Sequence, residues 1–551
     1  MSKTLFFYIL KDLLKIFLMT SIVLAGIMSF GGLLKPLMQY GLTGTQVGKM
    51  LLYFLPATQT YSLSIAALFA TTVVYGRLAA DNEITACRAS GISYTSLVVP
   101  AVVLGLILSI VSLVCLSFVV PHYMLKVERV AFDSLADVVQ KSIQRSHQIK
   151  LPGRGGKKQS IYAESAQVLA PPRENPDDEV VRLHGPMFCT YAWDDELKCE
   201  VPSEFFTAQS ATVVIHRTKD DVQFSAHLDE GAMFPRKFEG ASLGGIGTAE
   251  FGPISLGSPI RENTKFMNIT QLKELYKDPT RSREMQSRYA AVTRAEQQIA
   301  FLNTVATGLK TTGQYHFVNE SEAFTLLIEP AVKIPGNPTN DKLALTCPES
   351  GPRRIRLQRS RDGQVMATDA AHQLAIRVAA DLENDFLRLE FRLEDVLVSS
   401  PEGSVNRESF ARQFGVPTPP QLVSLKDRGV RYYLAQGAAH TDDLKEIRSK
   451  LPRLQSGIIS EIHARVSFAV SCLILVLIGC ILGMMFRTGN YLSAFALSVI
   501  PALICLALTV TGQHVCESDA KLMKVGLSIV WSGNLIVLVL VVGLLGHLRR
   551  Q

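Results

Sequence analysis

The chain has 551 residues, of which 48% are hydrophobic and 19% charged, and its formal net charge is +7. With a mean hydropathy of +0.20 it is too apolar for an ordinary soluble domain, and so small a basic excess makes no case for nucleic acid as a partner. The apolar residues gather in two blocks at the ends of the chain.

In chain order, TLFFYILKDLLK at 4–15 reads as a short amphipathic helix in the membrane interface, with Lys11, Asp12 and Lys15 toward water. No small-residue cleavage site follows, so it reads as retained. A helix needs about 20 mainly apolar residues to cross the hydrocarbon core. Six stretches, 16–34, 50–75, 97–120, 466–486, 491–512 and 526–546, come to that length without Asp, Glu, Lys or Arg. Amphipathic helices of a soluble domain would carry a charged face, which these lack.

Between the third and fourth spans the pattern changes. Residues 121–145 read as a helical extension of span three, and IYAESAQV, ATVVIHRTKD and DVQFSAHL then read as half-buried strands. A second β block at 323–400 offers Asp362-Gly363 as a two-residue hairpin turn and places Leu387, Leu389, Phe391 and Leu393 on one strand face. Between the blocks, 268–302 is helical in pattern, whereas the Gly-rich 240–257 and the Pro/Gly-rich 335–352 read as loops.

Lys and Arg in the short flanks set orientation. With the N-terminus inside, Lys3, Lys11, Lys15, Arg77, Arg88, Arg487, Arg549 and Arg550 face inward, against Lys35, Lys49, Lys521 and Lys524 outside. This predicts cytoplasmic termini, with 121–465 on the export side. Of the nine cysteines, Cys115, Cys472, Cys480 and Cys505 fall in spans and Cys87 in the loop between spans two and three. Cys189 and Cys199 flank the hairpin-like TYAWDDELK and can close a disulfide, while Cys347 has no evident partner.

No phosphate-cradling loop is present: GRGGKKQS at 153–160 lacks the G-x4-G-K-[ST] spacing. There is no H-E-x-x-H, no paired C-x-x-C and no nucleophile elbow, so no catalytic and no metal-ligating residue is assigned. The spans hold no ionisable residue of the kind that ion-coupled transporters use. Transport by this chain would draw its energy from a partner. Gly479 and Gly483 in IGCILG form a small-xxx-small ridge suited to close helix packing, the alternative being a merely lipid-facing pair. Ala79 to Cys87 can form about two turns of helix, with Asp81 or Asn82 near the capping position and Glu83 toward the cytosol. Alternatively, Glu83 pairs locally with Arg77 or Arg88 and only orders the loop.

The loop GRLAADNEITACRASGISYTSLVVP at 76–100 resembles the lipopolysaccharide-export permeases of the LptF/LptG type. Arg77-Leu78, Asp81-Asn82-Glu83-Ile84, Ala86, Arg88-Ala89-Ser90-Gly91-Ile92 and Pro100 carry the likeness. EIHARVSF at 461–468 resembles the family's Glu-x-His-x-Arg entry into span four through Glu461, His463 and Arg465, with Ile462 where an aromatic is usual. The resemblance covers about 1–165 and 455–551. Residues 268–297 look like the family's approach to span four, so 303–440 reads as an inserted second β module.

The resemblance implies an α-helical membrane protein with an inserted all-β domain: six transmembrane helices, three and three, around a large periplasmic β-jelly-roll-like domain with an extra β insertion. The units are 1–120 (interfacial helix and spans one to three), 121–267 (periplasmic β domain), 268–302 (helical linker), 303–440 (inserted module) and 441–551 (spans four to six). It further implies a half-transporter in the bacterial inner membrane that pairs with a copy or paralogue, engages periplasmic β-jelly-roll bridge proteins and extracts lipopolysaccharide or a related glycolipid. ATP would be used by a cytoplasmic ABC ATPase dimer, with no cofactor on this chain. Arg77, Asp81, Asn82, Glu83 and Arg88 would then form the ATPase-coupling loop. Lys35, Lys126 and Arg129 would meet lipid phosphates at the cavity mouth, or simply snorkel at the interface. Two other readings stay open: an ABC-driven lipoprotein extractor or mechanical transmitter, and a membrane-anchored scaffold that transports nothing.

Overall fold

The computed structural model describes residues 3–550 apart from 41–43, 133–134, 152–157, 172–174, 176–177, 195–198, 218–221, 236–244, 256–262, 320–321, 331, 336–341, 349–350, 362–363, 383, 401–402, 437–441 and 487–490. It divides into two compact units, residues 1–277 with 453–551, and residues 278–452.

The first unit begins with α1 (Lys3–Tyr40) and α2 (Gly44–Ala80), then a short α3 (Glu83–Ala89) and α4 (Tyr94–Val114). A π turn at Cys115–Val119 leads from α4 into α5 (Val120–Phe132), followed by α6 (Leu135–Ser146). After the sheet come α7 (Ile269–Lys277), then α11 (Asp442–Met485), which belongs to this unit from residue 453 onward, α12 (Tyr491–Ser518) and α13 (Met523–Arg550). Among the described residues six helices are long and apolar enough to cross a membrane, so the chain is an α-helical membrane protein with inserted antiparallel β structure.

The opening segment differs from the sequence reading, because 4–15 is not a separate interfacial helix. It forms the first turns of α1, where Ile9, Leu13 and Phe17 extend one buried stripe at i, i+4 spacing with no Gly or Pro to break it. Lys11 and Lys15 are exposed, while Asp12 pairs with Arg77.

The spans are not equivalent. In α2 and α11, 72% of the most apolar stretch is buried inside the protein, against 22% to 33% for the other four. These two helices touch because α11 offers glycines at the crossing. A Cβ added at Gly479 would meet Thr71 Oγ1 and lie 2.8 Å from the Leu68 carbonyl oxygen; at Gly483 it would lie 2.8 Å from the Thr72 carbonyl oxygen and 3.0 Å from Gly76 N. The backbones meet with no room for a side chain. Cys480, Ile481, Tyr75 and Leu78 belong to the buried cluster around the crossing.

Polar ties reinforce the bundle. Asn534 of α13 donates to the Ser467 carbonyl at 2.9 Å and to Ser467 Oγ at 2.8 Å, while its carboxamide oxygen accepts from Ser471 Oγ at 2.7 Å. Ser64 of α2 and Cys472 of α11 lie 2.7 Å apart. In hydrocarbon such groups must find each other, for no water is available.

The first sheet comprises β1 (Gln148–Leu151), β2 (Lys158–Tyr162), β3 (Ser165–Leu169), β4 (Glu179–His184), β5 (Met187–Asp194), β6 (Cys199–Arg217), β7 (Val222–Pro235) and β8 (Gly245–Ser255). Its order is β1-β2-β5-β6-β4-β3, with β7 beside β6 and β8 beside β7. The 19-residue β6 is the spine: its first half pairs with β5, its second half with β4, and β7 runs along its other edge. Ile143 of α6 and Leu183, Ala211 and Ile215 of the sheet form the core. The Gly-rich 240–257, expected as a loop, contains β8, since pairing with β7 supplies the order that glycine does not.

Cys189 and Cys199 are not bonded. On the β5/β6 ladder Cys189 stands opposite Phe205 and Cys199 opposite Asp194, five residues apart along the strand. At about 3.3 Å per residue that separation far exceeds disulfide reach, and Cys189 is a buried free thiol.

The second unit contains α8 (Arg283–Thr312), β9 (Gln314–Val318), β10 (Ala323–Ile328), β11 (Lys342–Thr346), β12 (Ile355–Arg361), β13 (Gln364–Asp381), β14 (Phe386–Ser400) and β15 (Gly403–Pro417). Two short helices, α9 (Pro420–Val423) and α10 (Val430–Gln436), follow before α11 begins. The strands run β15-β14-β13-β12-β10-β9, with β11 on the far half of β13. Leu387, Leu389, Phe391 and Leu393 are each at most 1% exposed, on the one face their alternation predicts, and each contributes about 1.5–3 kcal/mol by burial. The 268–302 helix breaks at Pro279 and continues as α8 to Thr312, with Phe301, Leu302, Val305 and Leu309 in the same core as those strand residues. The Pro/Gly-rich 335–352 holds β11, whose Leu343 and Leu345 are fully buried. Arg361 pairs with Gln364 across the β12–β13 turn, but Asp362-Gly363 itself lies outside the described residues.

At the end of this core Asp369, 1% exposed, takes Arg412 Nε at 2.5 Å. Removing one partner of a buried pair strands the other charge, so Arg412→Ala is expected to cost the second unit about 3–5 kcal/mol, read as a fall in the denaturant midpoint of its β-sheet signal. In the spans, Gly479→Ala is expected to cost about 1–3 kcal/mol through overpacking and Gly479→Leu more, measured as an earlier unfolding transition in detergent; an unchanged transition for both would remove the glycine from the crossing.

Candidate functional site

The turn between α2 and α4 is built from local signals. Asp81 and Asn82 N–H groups donate back to Arg77 and Ala79 carbonyls at 2.9 and 3.2 Å, and Asn82 adopts φ 61°, a left-handed conformation that asparagine tolerates. Asn82 occupies the N-cap of α3, although its side chain makes no capping bond there. At the other end Gly91 has φ 82°, Ile92 N–H reaches the Cys87 carbonyl at 3.0 Å and Gly91 N–H the Arg88 carbonyl at 2.9 Å. This is a Schellman closure, which needs a residue free to take positive φ. Ser93 then caps α4 by accepting from Ser96 N–H.

The result is a seven-residue helix held by one side only. Ile84 is buried in the cluster beside Leu78 and Tyr94, with Cys87 and Ile92 packed on it, while Asp81, Asn82, Thr85 and Arg88 are exposed. Both arginines that could neutralise Glu83 are engaged elsewhere. Arg77 pairs with Asp12 of α1. Arg88 donates Nη1 to Tyr94 Oη at 2.7 Å, its guanidinium 4.3 Å from the ring centroid. The half-buried Glu83 side chain makes no hydrogen bond or ion pair among the described residues, although its charge acts on Arg77 through space.

The residues at 461–465 form a second polar cluster at the start of the apolar part of α11. Glu461 and Arg465 are 8% and 2% exposed and joined Oε1 to Nε at 2.8 Å; His463 Nδ1 accepts from Trp531 Nε1 at 3.3 Å. Sequence reading starts span four at 466 and so misses that a buried ion pair sits against it. The i, i+4 spacing of Glu461 and Arg465 was the available signal. Lys126 lies 5.0 Å from the Tyr123 ring centroid and 5.8 Å from that of Tyr53, Arg129 is exposed, and the side chain of Lys35 lies outside the described residues.

A cavity of about 160 Å³ opens among α1, α2, α11 and α12, lined by Met28, Tyr61, Phe468, Leu475, Leu503 and Leu506 among others. Its walls are almost wholly apolar. Among the described residues no group of three or more His, Cys, Asp or Glu could hold a metal.

A family profile, the lipopolysaccharide export system permease LptF/LptG, matches residues 7–169 and 348–547. The chain belongs to that family. It is therefore a multi-pass inner-membrane permease, a transport subunit of the lipopolysaccharide export system rather than an enzyme. The match takes in the α2–α3–α4 turn, the Glu461–Arg465 cluster and all six spans, and it runs on through 348–440 while leaving 170–347 unmatched. Part of the segment read from sequence as an insertion thus falls inside the family pattern. No curated protein matches the permease.

Because the Glu83 side chain makes no hydrogen bond or ion pair and only its through-space charge acts on Arg77, Glu83→Arg is expected to change the permease's stability by no more than about 0.5 kcal/mol and to leave insertion unaltered, as read by detergent melting and protease accessibility. A large loss of folded protein would return Glu83 to a role in ordering the turn.

Proposed function

We propose that the permease is the membrane half of an ABC transporter that extracts lipopolysaccharide or a related glycolipid from the inner membrane, with Glu83 as the contact through which a cytoplasmic ATPase dimer drives it. The observation that carries this reading is the α3 turn. A short helix fixed to the bundle by one apolar face, with a carboxylate that makes no ion pair in its first turn, is a handle for a basic groove on another protein. Arg77 then ties the end of α2 to α1 and Arg88 ties α3 to α4, with Asp81 and Asn82 at the exposed corner.

In this reading both termini and α3 are cytoplasmic, and the two sheets lie in the periplasm, where the open sheet of β1–β8 passes lipid to β-jelly-roll bridge proteins. A second permease subunit, a copy or a paralogue, faces the exposed apolar sides of α1 and α12, where Ile22, Ile27, Ile500 and Leu503 are more than half exposed. The cavity beside those helices suits an acyl chain: an apolar void near 150 Å³ stays dry and takes hydrocarbon. Lys35, Lys126 and Arg129 supply positive charge for lipid phosphates. The chain binds no cofactor of its own.

Affinity purification of the permease in mild detergent is expected to recover an ABC ATPase, and Glu83→Arg to lower that recovery at least tenfold while the purified chain alone neither binds nor hydrolyses ATP. Wild-type recovery and wild-type lipid release by Glu83→Arg in proteoliposomes would discard the coupling role, and saturable ATP binding by the isolated chain would contradict the half-transporter reading.

A further inference from the structure

The Glu461-x-His463-x-Arg465 motif is conspicuous in sequence, yet extraction driven through α3 gives it no task. Its three side chains reach three different elements. Glu461 Oε2 accepts from Gln513 Nε2 of α12 at 2.9 Å, and His463 accepts from Trp531 of α13. Arg465 keeps Nε on Glu461 and turns its other edge to the connection between β8 and α7, donating Nη2 to the carbonyls of Met267 at 2.8 Å, Lys265 at 3.1 Å and Thr264 at 3.3 Å.

Apolar packing completes the attachment. Leu272 and Leu275 of α7 bury against Ile458 of α11, with Met267 and Ile462 alongside. The exit of the first sheet is thus held to residues 458–465 of α11, about two turns, with Phe266 packed in addition on the α2/α5 cluster, and those turns of α11 are bonded in their own right to α12 and α13. Only a planar guanidinium serves here, because its forked donors address a carboxylate on one side and carbonyls on the other, whereas an ammonium is a single point of charge. Arg465 Nη1 is buried with no acceptor among the described residues. A spare buried donor is costly, and it allows the fork to seat on a different carbonyl without releasing Glu461.

We infer that this cluster is the joint through which spans four to six carry the first sheet, and that Arg465 is its positioning residue. Its consequence for export rests on the proposed transport function. The rigid attachment itself is a property of the chain alone.

The test uses the full chain in nanodiscs with genetically encoded spin labels at Gln167 in β3 and Ser518 in α12, and a second pair at Ser518 and Val539 to report the spans, all at exposed positions. Arg465→Lys keeps the charge beside Glu461. It is expected to broaden the 167–518 distance distribution at least twofold and leave the 518–539 distribution unchanged. An unchanged 167–518 distribution overturns the inference. So does broadening of both pairs, which would mean that Arg465 merely stabilises the bundle, and Gln513→Leu, removing only the α12 arm, separates these cases if Arg465→Lys inserts poorly. In complex with an ATPase, Arg465→Lys is expected to retain ATP hydrolysis and lose at least tenfold in lipid release; retained release also overturns it. Should no ATPase bind the wild-type chain, the transport function fails while the spin-label distances still decide the joint.

Discussion

The crossing of α11 over α2 is the constraint on which the membrane part depends. Inside hydrocarbon there is no hydrophobic force between helices, so association rests on close packing and on polar groups that have nowhere else to bond. Gly479 and Gly483 bring the α11 backbone against the carbonyls of α2, and the other helices are arranged around this inner pair. The same device recurs at the α12–α13 contact, where a Cβ at Gly512 would lie 2.6 Å from the Gly526 carbonyl. Serine and asparagine supply the rest, with Asn534 tying α13 to α11 through both ends of its carboxamide.

Given that rigid pair, the features at its two ends acquire direction. At one end of α2 the chain reverses through Asn82 into α3, a helix too short to be stable by itself and held by Ile84. On α11, at the start of its apolar stretch, the Glu461–Arg465 cluster holds the exit of the first sheet. A displacement imposed at α3 therefore meets a stiff two-helix body rather than a chain of loose contacts. On the proposed function, lipid extraction driven by a partner calls for such a body.

The two sheets solve one structural problem in the same way. In each, a single long strand, β6 or β13, spans two shorter neighbours on one side and a long partner on the other. An amphipathic helix then covers the apolar face, α6 in the first and α8 in the second. Charged pairs such as Arg359 with Glu322 lie toward the margin of the second core, where the guanidinium holds the Glu322 carboxyl below the usual range.

Much of this was legible in the sequence because its causes are local. Six uncharged stretches determine six spans, since the bilayer responds to length and hydropathy alone. The alternation at Leu387, Leu389, Phe391 and Leu393 determines which strand face is buried, and the order of residues from Asp81 to Ile92 determines a short helix between two left-handed residues. What only the tertiary structure decided depends on partners distant in the chain. Strands β8 and β11 form in Gly- and Pro-rich sequence because ladders with β7 and β13 supply the missing order, and the β5–β6 register, not the spacing of Cys189 and Cys199, keeps those thiols apart. That Glu83 makes no ion pair follows from Asp12 and Tyr94 bonding its two neighbouring arginines, and the clasp of Arg465 on residues 264–267 joins positions some two hundred residues apart. Periodicity and spacing carry no record of such meetings, because they are chosen by packing in three dimensions.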